Sequence, residues 1–177
     1  MTFGSTTLMN IYEINTRFHP SNKIHSTAII HDCVEMGENN TIGAYAVIGG
    51  DGEIRGTELF EGKVIIGSNN RISELVTIQR PSKKGQTTII GDHCIIMAHS
   101  HIGHDAKIGD HVEISTGTIV GGYAEIGDCS KIKLGVTIRN RKKIGPDAII
   151  GMGAAVVKDV PPGEIHFGNP AKKHDSV

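Results

Sequence analysis

The feature of this sequence that most constrains its fold is an apolar residue at every sixth position. From Ile24 to Val156, each sixth residue is apolar except Lys84. A small or β-branched residue commonly stands two positions before the apolar one, and glycine often follows it. An amphipathic helix needs a period near 3.6 and a half-buried strand a period of 2, so neither is the repeating unit here.

A period of six is satisfied by a short strand, a turn and another short strand, with one large side chain per strand directed into a narrow prism. Small neighbours leave room for that side chain, and glycine adopts turn conformations at little cost. The pattern resembles the hexapeptide-repeat proteins, which implies an all-β fold: a left-handed parallel β-helix with three sides and about 18 residues per coil. We therefore expect each interior residue to stack on the one eighteen positions away, and His93 to stack in the same way on His111.

The composition agrees with a narrow core, because the chain has 23 glycines, no tryptophan and 4% aromatic residues. A net charge of −1 lacks the basic surplus of a nucleic-acid binder. No segment approaches the ~20 apolar residues of a membrane span, and the first residues do not resemble a secretory signal. We expect a cytoplasmic protein with no nucleic-acid partner. The three cysteines have no CxxC spacing, which argues against a disulfide framework.

Interruptions of the repeat predict the domain organisation. We expect the β-helix to span residues 21–160, preceded by a cap or extra strand over 1–20. A proline pair is expected to end the coil, leaving a tail over 161–177 with no sizeable helical domain. Loops are expected near 50–63 and 80–88, where the repeat loses its small residue or contains proline and lysine. Such loops are where a repetitive scaffold carries binding groups.

Histidines are concentrated in the middle of the chain, around the run MAHSHIGHDAKIGDH. Acyl transfer from a thioester needs a base that works near neutrality, for which histidine is suited. His104 follows the interior Ile102 by two residues, at a turn where side chains point outward, and Asp105 comes next. A carboxylate beside an imidazole fixes its tautomer and stabilises the imidazolium. The alternative is that His104 and Asp105 form a solvated surface pair without a chemical role. For His101, a functional role and a purely structural one are equally open.

A resemblance favours the catalytic interpretation. From about Phe18 to Ala171, including the motifs HIGHD and GNPA, the chain is similar to the UDP-N-acetylglucosamine O-acyltransferases of the lipid A pathway. It also looks like the shorter nucleotide-sugar acyltransferases of O-antigen and capsule pathways. The resemblance implies that His104 is the general base, that Asp105 orients it, and that His101 contacts the substrate. No covalent enzyme intermediate is needed.

The same resemblance implies further substrate contacts. Gly122 corresponds to an amide donor near the thioester carbonyl. Tyr123 and Arg139 replace histidines that contact the acyl donor or the sugar in the lipid A enzymes. The remaining positions are two acids in the GDGE loop, a basic residue beside it and one residue of the GNPA motif: Asp51, Glu53, Arg80 and Asn169.

The resemblance also implies the partners. The donor is acyl-CoA or an acyl carrier protein, the acceptor is a hydroxyl or amine of a nucleotide sugar, and no cofactor is tightly bound. A homotrimer with active sites between subunits is expected. The basic run RNRKK, at residues 139–143, together with Lys172 and Lys173, is suited to phosphates of CoA or to a carrier-protein surface.

A zinc enzyme is the alternative from another class. The γ-class carbonic anhydrases share this fold, and His99 and His104 have the spacing of their paired ligands. Zinc in such an enzyme usually takes three protein ligands, yet residues 60–92 contain no histidine and Asp105 replaces the expected glycine. A non-catalytic assembly subunit is the third possibility. The preferred interpretation involves no metal.

Overall fold

The computed structural model describes residues 12–13, 17–54 and 62–174. In these ranges every regular element is a β-strand, and the strands form three sheets. No helix in this part of the chain has the length and apolar character needed to cross a membrane. The three sheets are the sides of a left-handed parallel β-helix, which confirms the predicted fold class.

The first side contains ten strands, all parallel except the two at its ends, which pair antiparallel. In spatial order they are β1 (Tyr12–Glu13), β2 (Lys23–His25), β5 (Thr41–Ile42), β8 (Arg71–Ile72), β11 (Ile95–Ile96), β14 (Glu113–Ile114), β17 (Lys131–Ile132), β20 (Ile149–Ile150), β22 (Ile165–Phe167) and β23 (Lys172–Lys173).

The second side has seven parallel strands and carries the histidine motif. They are β3 (Ile29–Ile30), β6 (Val47–Gly50), β9 (Thr77–Gln79), β12 (His101–Ile102), β15 (Ile119–Val120), β18 (Thr137–Ile138) and β21 (Ala155–Val156).

The third side has six parallel strands. They are β4 (Val34–Met36), β7 (Lys63–Ile66), β10 (Thr87–Ile90), β13 (Lys107–Ile108), β16 (Glu125–Ile126) and β19 (Lys143–Ile144).

The core is a set of isoleucine columns, one inside each side of the prism. Ile96, Ile114 and Ile132 are paired in register on successive coils, and each is fully buried. Eighteen residues separate neighbours in this column, as the repeat predicts. Successive coils bring these side chains within about 4.8 Å, the interstrand spacing, so each coil covers the one before it.

Turns between sides use left-handed backbone at one position per corner. At the corner that follows β12 this position is Asp105, and on the next two coils it is Tyr123 and Arg141, with φ of 60°, 58° and 63°. Side chains with a Cβ adopt this conformation at some cost, and aspartate is among those that tolerate it best. The eighteen-residue period therefore aligns these three residues in one column.

Glycine after the interior isoleucine has a packing reason. A Cβ on Gly91 would collide with Oδ1 of Asp110 on the next coil. That oxygen accepts a hydrogen bond of 2.7 Å from the backbone N–H of Asp92. Beside this corner the rings of His93 and His111 stack with centroids 4.8 Å apart and planes 3° from parallel, which confirms the predicted pairing.

Two excursions from the prism preserve the six-residue frame. Met36 is paired with Ile66, and Ile66 with Ile90, so these coils are 30 and 24 residues long instead of 18. The longer coil has two extra repeats of six residues, and the shorter one has one extra repeat. Ile54 and Lys84 lie in these extra repeats, so they keep the six-residue frame although neither is in the buried core. Phe60, also in frame, lies outside the described residues.

At the carboxyl-terminal end the coil continues beyond Pro161 and Pro162, in contrast to the expectation that it stops there. β22 pairs in parallel with β20, and β23 then folds back on β22. At the other end, β1 lies antiparallel on β2. The other residues up to position 16 lie outside the described part of the chain.

Candidate functional site

The site is built on the turn that follows β12. His104 and Asp105 occupy this turn, and only 11% and 4% of their side-chain surfaces are exposed. The sequence predicted that both side chains point outward at a turn. Because both side chains are buried, they are not the solvated surface pair that was the alternative interpretation. The cover comes from residues 80–86, which leave the prism between β9 and β10 and lie over the corner.

The imidazole of His104 is held in one tautomer. Its Nδ1 lies 2.9 Å from Oδ2 of Asp105. An ionised carboxylate only accepts hydrogen bonds, so Nδ1 carries the proton and donates it to this bond. Nε2 is then the unprotonated nitrogen, and it has no hydrogen-bond partner among the described residues. This arrangement suits a general base.

Asp105 is itself fixed by two backbone contacts. Its Oδ2 also accepts a hydrogen bond of 2.9 Å from the N–H of Ser82, and its own N–H donates to Oγ1 of Thr88 at 2.9 Å. The backbone N–H of His104 donates to Oε1 of Gln79 at 3.3 Å. Within the described part of the chain, the buried Oδ1 of Asp105 has no partner. The carboxylate is therefore oriented through one oxygen.

Gly122 leaves the space that the His104 ring occupies. A Cβ at this position would lie 2.5 Å from Cε1 and Nε2 of the imidazole, closer than side chains approach one another. The N–H of Gly122 donates no hydrogen bond to any described residue. Glycine is thus required here by its close approach to the imidazole.

Tyr123 contacts both neighbours in the site. Its ring meets that of His104 edge to face, with centroids 5.1 Å apart and planes at 87°. The guanidinium of Arg141 lies 4.1 Å from the centroid of the Tyr123 ring, a cation–π geometry. Arg141 forms no ion pair with a described residue, so its charge is available to a ligand.

Two cavities adjoin the pair and share Tyr123 and Arg141 in their walls. The His104 cavity has a volume of about 470 Å³ and is lined by Glu53, Ile54, Ser82, Lys83, His104, Tyr123, Asn140 and Arg141. The Asp105 cavity has a volume of about 440 Å³ and is lined by Gly85, Gln86, Thr87, Asp105, Lys107, Tyr123, Glu125, Arg141 and Lys143.

His101 lies in β12 on the outer surface of the same side. Its Nδ1 is 2.7 Å from Oγ1 of Thr77 on the preceding coil. Burial lowers the pKa of His101, the charge of Glu53 opposes this shift, and His104 adds to it. Glu53, from the GDGE loop, therefore lies in the electrostatic surroundings of His101, and it lines the same cavity as His104.

Asp51 and Arg80 form an ion pair with each other. The Nε of Arg80 donates to Oδ1 of Asp51 at 2.6 Å, and the Arg80 backbone N–H donates to the carbonyl of Gly50 at 2.8 Å. Neither side chain lines the two cavities. Their charges are committed to joining the GDGE loop to the end of β9.

Arg139 and Asn169 lie apart from the pair. Arg139 is exposed at the end of β18 and lines neither cavity, whereas Arg141, two residues later, lines both. Asn169 is exposed in the turn between β22 and β23, at the carboxyl-terminal end of the prism. In the basic run, Lys142 pairs with Asp159 at 3.2 Å, and Lys143 with Glu125 at 3.0 Å. Lys173 pairs with Glu164 at 2.8 Å.

Known proteins with similar sequences and structures are named as acyltransferases. The family model described as bacterial transferase hexapeptide (six repeats) matches residues 87–122, which include the whole HIGHD motif. The chain is 32% identical to a UDP-N-acetylglucosamine acyltransferase of Bacteroides fragilis, whose crystal structure superposes with a TM-score of 0.83 over 86% of this chain and 60% of that one. Residues 87–122 therefore carry the bacterial transferase hexapeptide repeat, and the chain is similar in sequence and fold to this acyltransferase.

Curated relatives of this chain carry the same activity in their names. It is 30% identical over 144 residues to the acyl-[acyl-carrier-protein]–UDP-N-acetylglucosamine O-acyltransferase of Synechocystis sp.. That alignment covers 81% of the chain and 52% of the relative. It is 36% identical over 85 residues to the enzyme of that name from Rickettsia typhi, covering 48% of the chain and 32% of the relative. The predicted resemblance is confirmed, and the chain spans about half or less of these relatives.

The fold extends to a further acyltransferase. The structure of a perosamine N-acetyltransferase of Caulobacter crescentus, a mutant in complex with CoA and GDP-perosamine, superposes with a TM-score of 0.56 at 21% identity. The superposition covers 88% of the present chain and 57% of the perosamine N-acetyltransferase chain. At this identity the likeness is one of fold.

The zinc alternative is not favoured. Nδ1 of His104 is already bonded to Asp105, and His99 is exposed at its own corner. No group of three or more histidine, cysteine, aspartate or glutamate side chains within residues 12–13, 17–54 and 62–174 is arranged to hold a metal ion. The relatives described above are named as acyltransferases.

Sequence reasoning missed three residues of the site. Arg141 was noted only as part of the basic run, although the eighteen-residue period places it in the column of Asp105 and Tyr123. Ser82 and Thr88 gave no signal. Ser82 lies in an excursion from the prism, and the six-residue frame does not give the path of that excursion. Only the folded structure brings Ser82 to Asp105.

Proposed function

We propose that this protein is an acyltransferase that moves an acyl group from a thioester to a hydroxyl or amine of a nucleotide-linked sugar. The observation that carries the proposal is the buried His104–Asp105 pair between two cavities large enough for parts of two substrates. Nε2 of His104 has no hydrogen-bond partner in the part of the chain that the structure describes. The names of the relatives supply the reaction and the substrate classes.

His104 acts as the general base. Nε2 removes the proton of the acceptor O–H or N–H while that atom attacks the thioester carbonyl carbon. The tetrahedral oxyanion takes a hydrogen bond from the N–H of Gly122. The C–S bond then breaks, and the imidazolium returns the proton to the leaving thiolate. Asp105 stabilises the imidazolium between these two transfers. Atoms balance without a covalent bond to the enzyme.

The acceptor sugar occupies the His104 cavity. Glu53 at its wall accepts hydrogen bonds from sugar hydroxyls or an amine, and Lys83 and Asn140 are further polar groups of the lining. His101, next along the same side, provides another contact through its second ring nitrogen. The acyl donor occupies the Asp105 cavity, where Lys107 and Arg141 meet the phosphates of CoA or of a carrier protein's prosthetic group.

Asp51, Arg80, Tyr123, Arg139 and Asn169 remain predicted substrate contacts of different kinds. Tyr123 separates the two cavities and is in reach of both substrates. Asp51 and Arg80 act as a pair that holds the GDGE loop beside the acceptor. Arg139 and Asn169 belong to the proposal as contacts to the distal part of a long donor.

The proposal includes a homotrimer in which clefts between adjacent prisms complete the cavities. Ile119 is 48% exposed on the side that carries His101, and Leu134 and Met152, at the edge of that side, are 52% and 73% exposed. Burial of such side chains against a neighbouring copy is favourable at ~25 cal/mol per Å² of apolar surface.

The test is an open screen for products. Purified protein is incubated with UDP-, dTDP- and GDP-linked sugars, each with several acyl-CoAs and acyl carrier proteins, and the mixtures are analysed by mass spectrometry. We expect one sugar nucleotide to gain the mass of an acyl group, with release of the free thiol. Absence of an acylated sugar in every combination would contradict the proposal.

A further inference from the structure

We infer that Ser82 is a positioning residue, which fastens the loop of residues 80–86 to Asp105 and Tyr123 and thereby holds the His104 imidazole in its working orientation. The structural part of this inference stands on geometry alone. Its consequence for turnover rests on the function proposed above.

Ser82 is buried to an extent unusual for a loop serine. Only 7% of its surface is exposed, whereas the next residues of the loop, Lys83 and Lys84, are exposed. Burying a polar side chain is costly unless its hydrogen bonds are made. The backbone N–H and the hydroxyl of Ser82 both form hydrogen bonds, and both bonds are made at the site.

The backbone N–H of Ser82 bonds to the carboxylate oxygen that orients His104. Oδ2 of Asp105 accepts from Ser82 N at 2.9 Å and from His104 Nδ1 at 2.9 Å. Because Oδ1 has no partner among the described residues, nothing else fixes rotation of the carboxylate about its last bond. The loop is therefore a structural element of the catalytic pair as well as its cover.

The hydroxyl of Ser82 makes the second attachment. Its Oγ lies 2.7 Å from the hydroxyl of Tyr123. The Tyr123 ring in turn meets the His104 ring edge to face at 5.1 Å. Ser82 thus reaches His104 by two routes, one through a carboxylate and one through an aromatic ring. Loss of the hydroxyl releases Tyr123 and weakens the hold of the loop on Asp105.

Four variants separate positioning from general stabilisation. Ser82→Ala and Tyr123→Phe remove the same hydrogen bond from its two ends, and Ser82→Thr restores a hydroxyl. Ser130→Ala is the matched control, because Ser130 is fully buried and its Oγ donates at 2.9 Å to the carbonyl of Gly145, on a different corner of the prism.

The first measurement does not depend on activity. The Nδ1–H proton of His104 is assigned in ¹H–¹⁵N spectra by its disappearance in His104→Ala, and its exchange with water is compared among the variants. We expect exchange to accelerate about two- to tenfold, the factor equivalent to one hydrogen bond, in Ser82→Ala and Tyr123→Phe. Ser82→Thr and Ser130→Ala are expected to match the unmodified protein.

The second measurement is the split between kcat and KM, with the donor and acceptor found by the product screen. Ser82→Ala is expected to lower kcat by about two- to tenfold with KM little changed, and Ser82→Thr to recover most of the loss. Unchanged proton exchange in Ser82→Ala, or an equal change in Ser130→Ala, would overturn the inference. If the screen finds no acylated product while proton exchange responds as expected, the proposed function fails and the positioning role stands.

Discussion

At the scale of single residues, His104 depends on three neighbours that act on different parts of its ring. Asp105 accepts a hydrogen bond from Nδ1–H, Gly122 leaves room for Cε1 and Nε2, and Tyr123 packs edge to face against the ring. The motif HIGHD made the first of these contacts predictable from the sequence. The space beside Gly122 was not predictable, because glycine is frequent in this chain and only the coil geometry identifies the one that faces the imidazole.

Gly122→Ala is expected to move the imidazole and abolish most of the turnover. The added Cβ collides with the ring, and displacement by about 1 Å typically costs on the order of 10²-fold in rate. Steady-state kinetics with the identified substrates measures the effect. Gly163→Ala is the control for backbone strain away from the site, since a Cβ there meets no atom within 4 Å but the residue has a φ of 70°. Retention of more than about a third of the activity in Gly122→Ala would show that the His104 ring tolerates the added Cβ, and would contradict this prediction.

The stability of the protein is expected to fall below about pH 6.5 because of His101. Burial lowers the pKa of His101 from its ordinary 6.5, so the folded state binds this proton less readily than the unfolded state. The contribution of neutral His101 to the free energy of unfolding is therefore complete above pH 6.5. It is lost as the pH falls from 6.5 toward the pKa of His101 in the folded state. Urea unfolding at about pH 7.5 and 5.5 is compared for the unmodified protein and His101→Gln. A smaller acid-induced loss in the variant is expected; an equal loss would assign the effect to other groups.

At the scale of elements, the repeat explains which parts of the structure were predictable. One apolar residue per six identified the three sides, the stacking of Ile96 on Ile114 and the pairing of His93 with His111. The excursions add whole repeats, so the frame passes through them and gives no information about their path. The contact of Ser82 with Asp105 was not predictable for this reason. Ile54 was predicted to lie in a loop, but the repeat gave no sign that it lines the His104 cavity.

Ile114→Ala is expected to destabilise the prism by about 2–5 kcal/mol. Ile114 is fully buried between Ile96 and Ile132, and neighbouring coils have little freedom to close the cavity that the substitution leaves. The free energy of unfolding in urea measures the loss. Ile95→Ala is the control on the same side of the prism, because that side chain is 41% exposed. A loss for Ile114→Ala no larger than for the control would contradict the stacked core.

At the scale of the whole molecule, the regular stacking of coils determines where the loops pack against the turns of the prism. The pair at positions 104 and 105 lies where residues 80–86 return to the coil and where the GDGE loop approaches the same side. The net charge of −1 for the whole chain conceals charges of both signs at the site. Lys107 and Glu125 line the Asp105 cavity, Lys83 and Glu53 line the His104 cavity, and Arg141 lines both. An anionic group of either substrate can therefore meet the Arg141 guanidinium.

The proposed homotrimer is tested by light scattering with size-exclusion chromatography. We expect a mass close to three times the 18.9 kDa of one chain. Met152→Glu, which places a charge among the exposed apolar side chains, is expected to shift the distribution toward the single chain. A single-chain mass for the unmodified protein would remove the shared clefts from the mechanism and leave the His104–Asp105 pair to work within one prism.

The most direct test of the account is the turnover of His104→Ala beside that of the unmodified protein, measured by mass spectrometry on the sugar nucleotide and acyl thioester that the screen identifies. The general base at Nε2 predicts a fall in kcat of ~10²–10⁴-fold, with the fold preserved. Turnover within a few-fold of the unmodified protein would contradict the central claim that His104 removes the acceptor's proton.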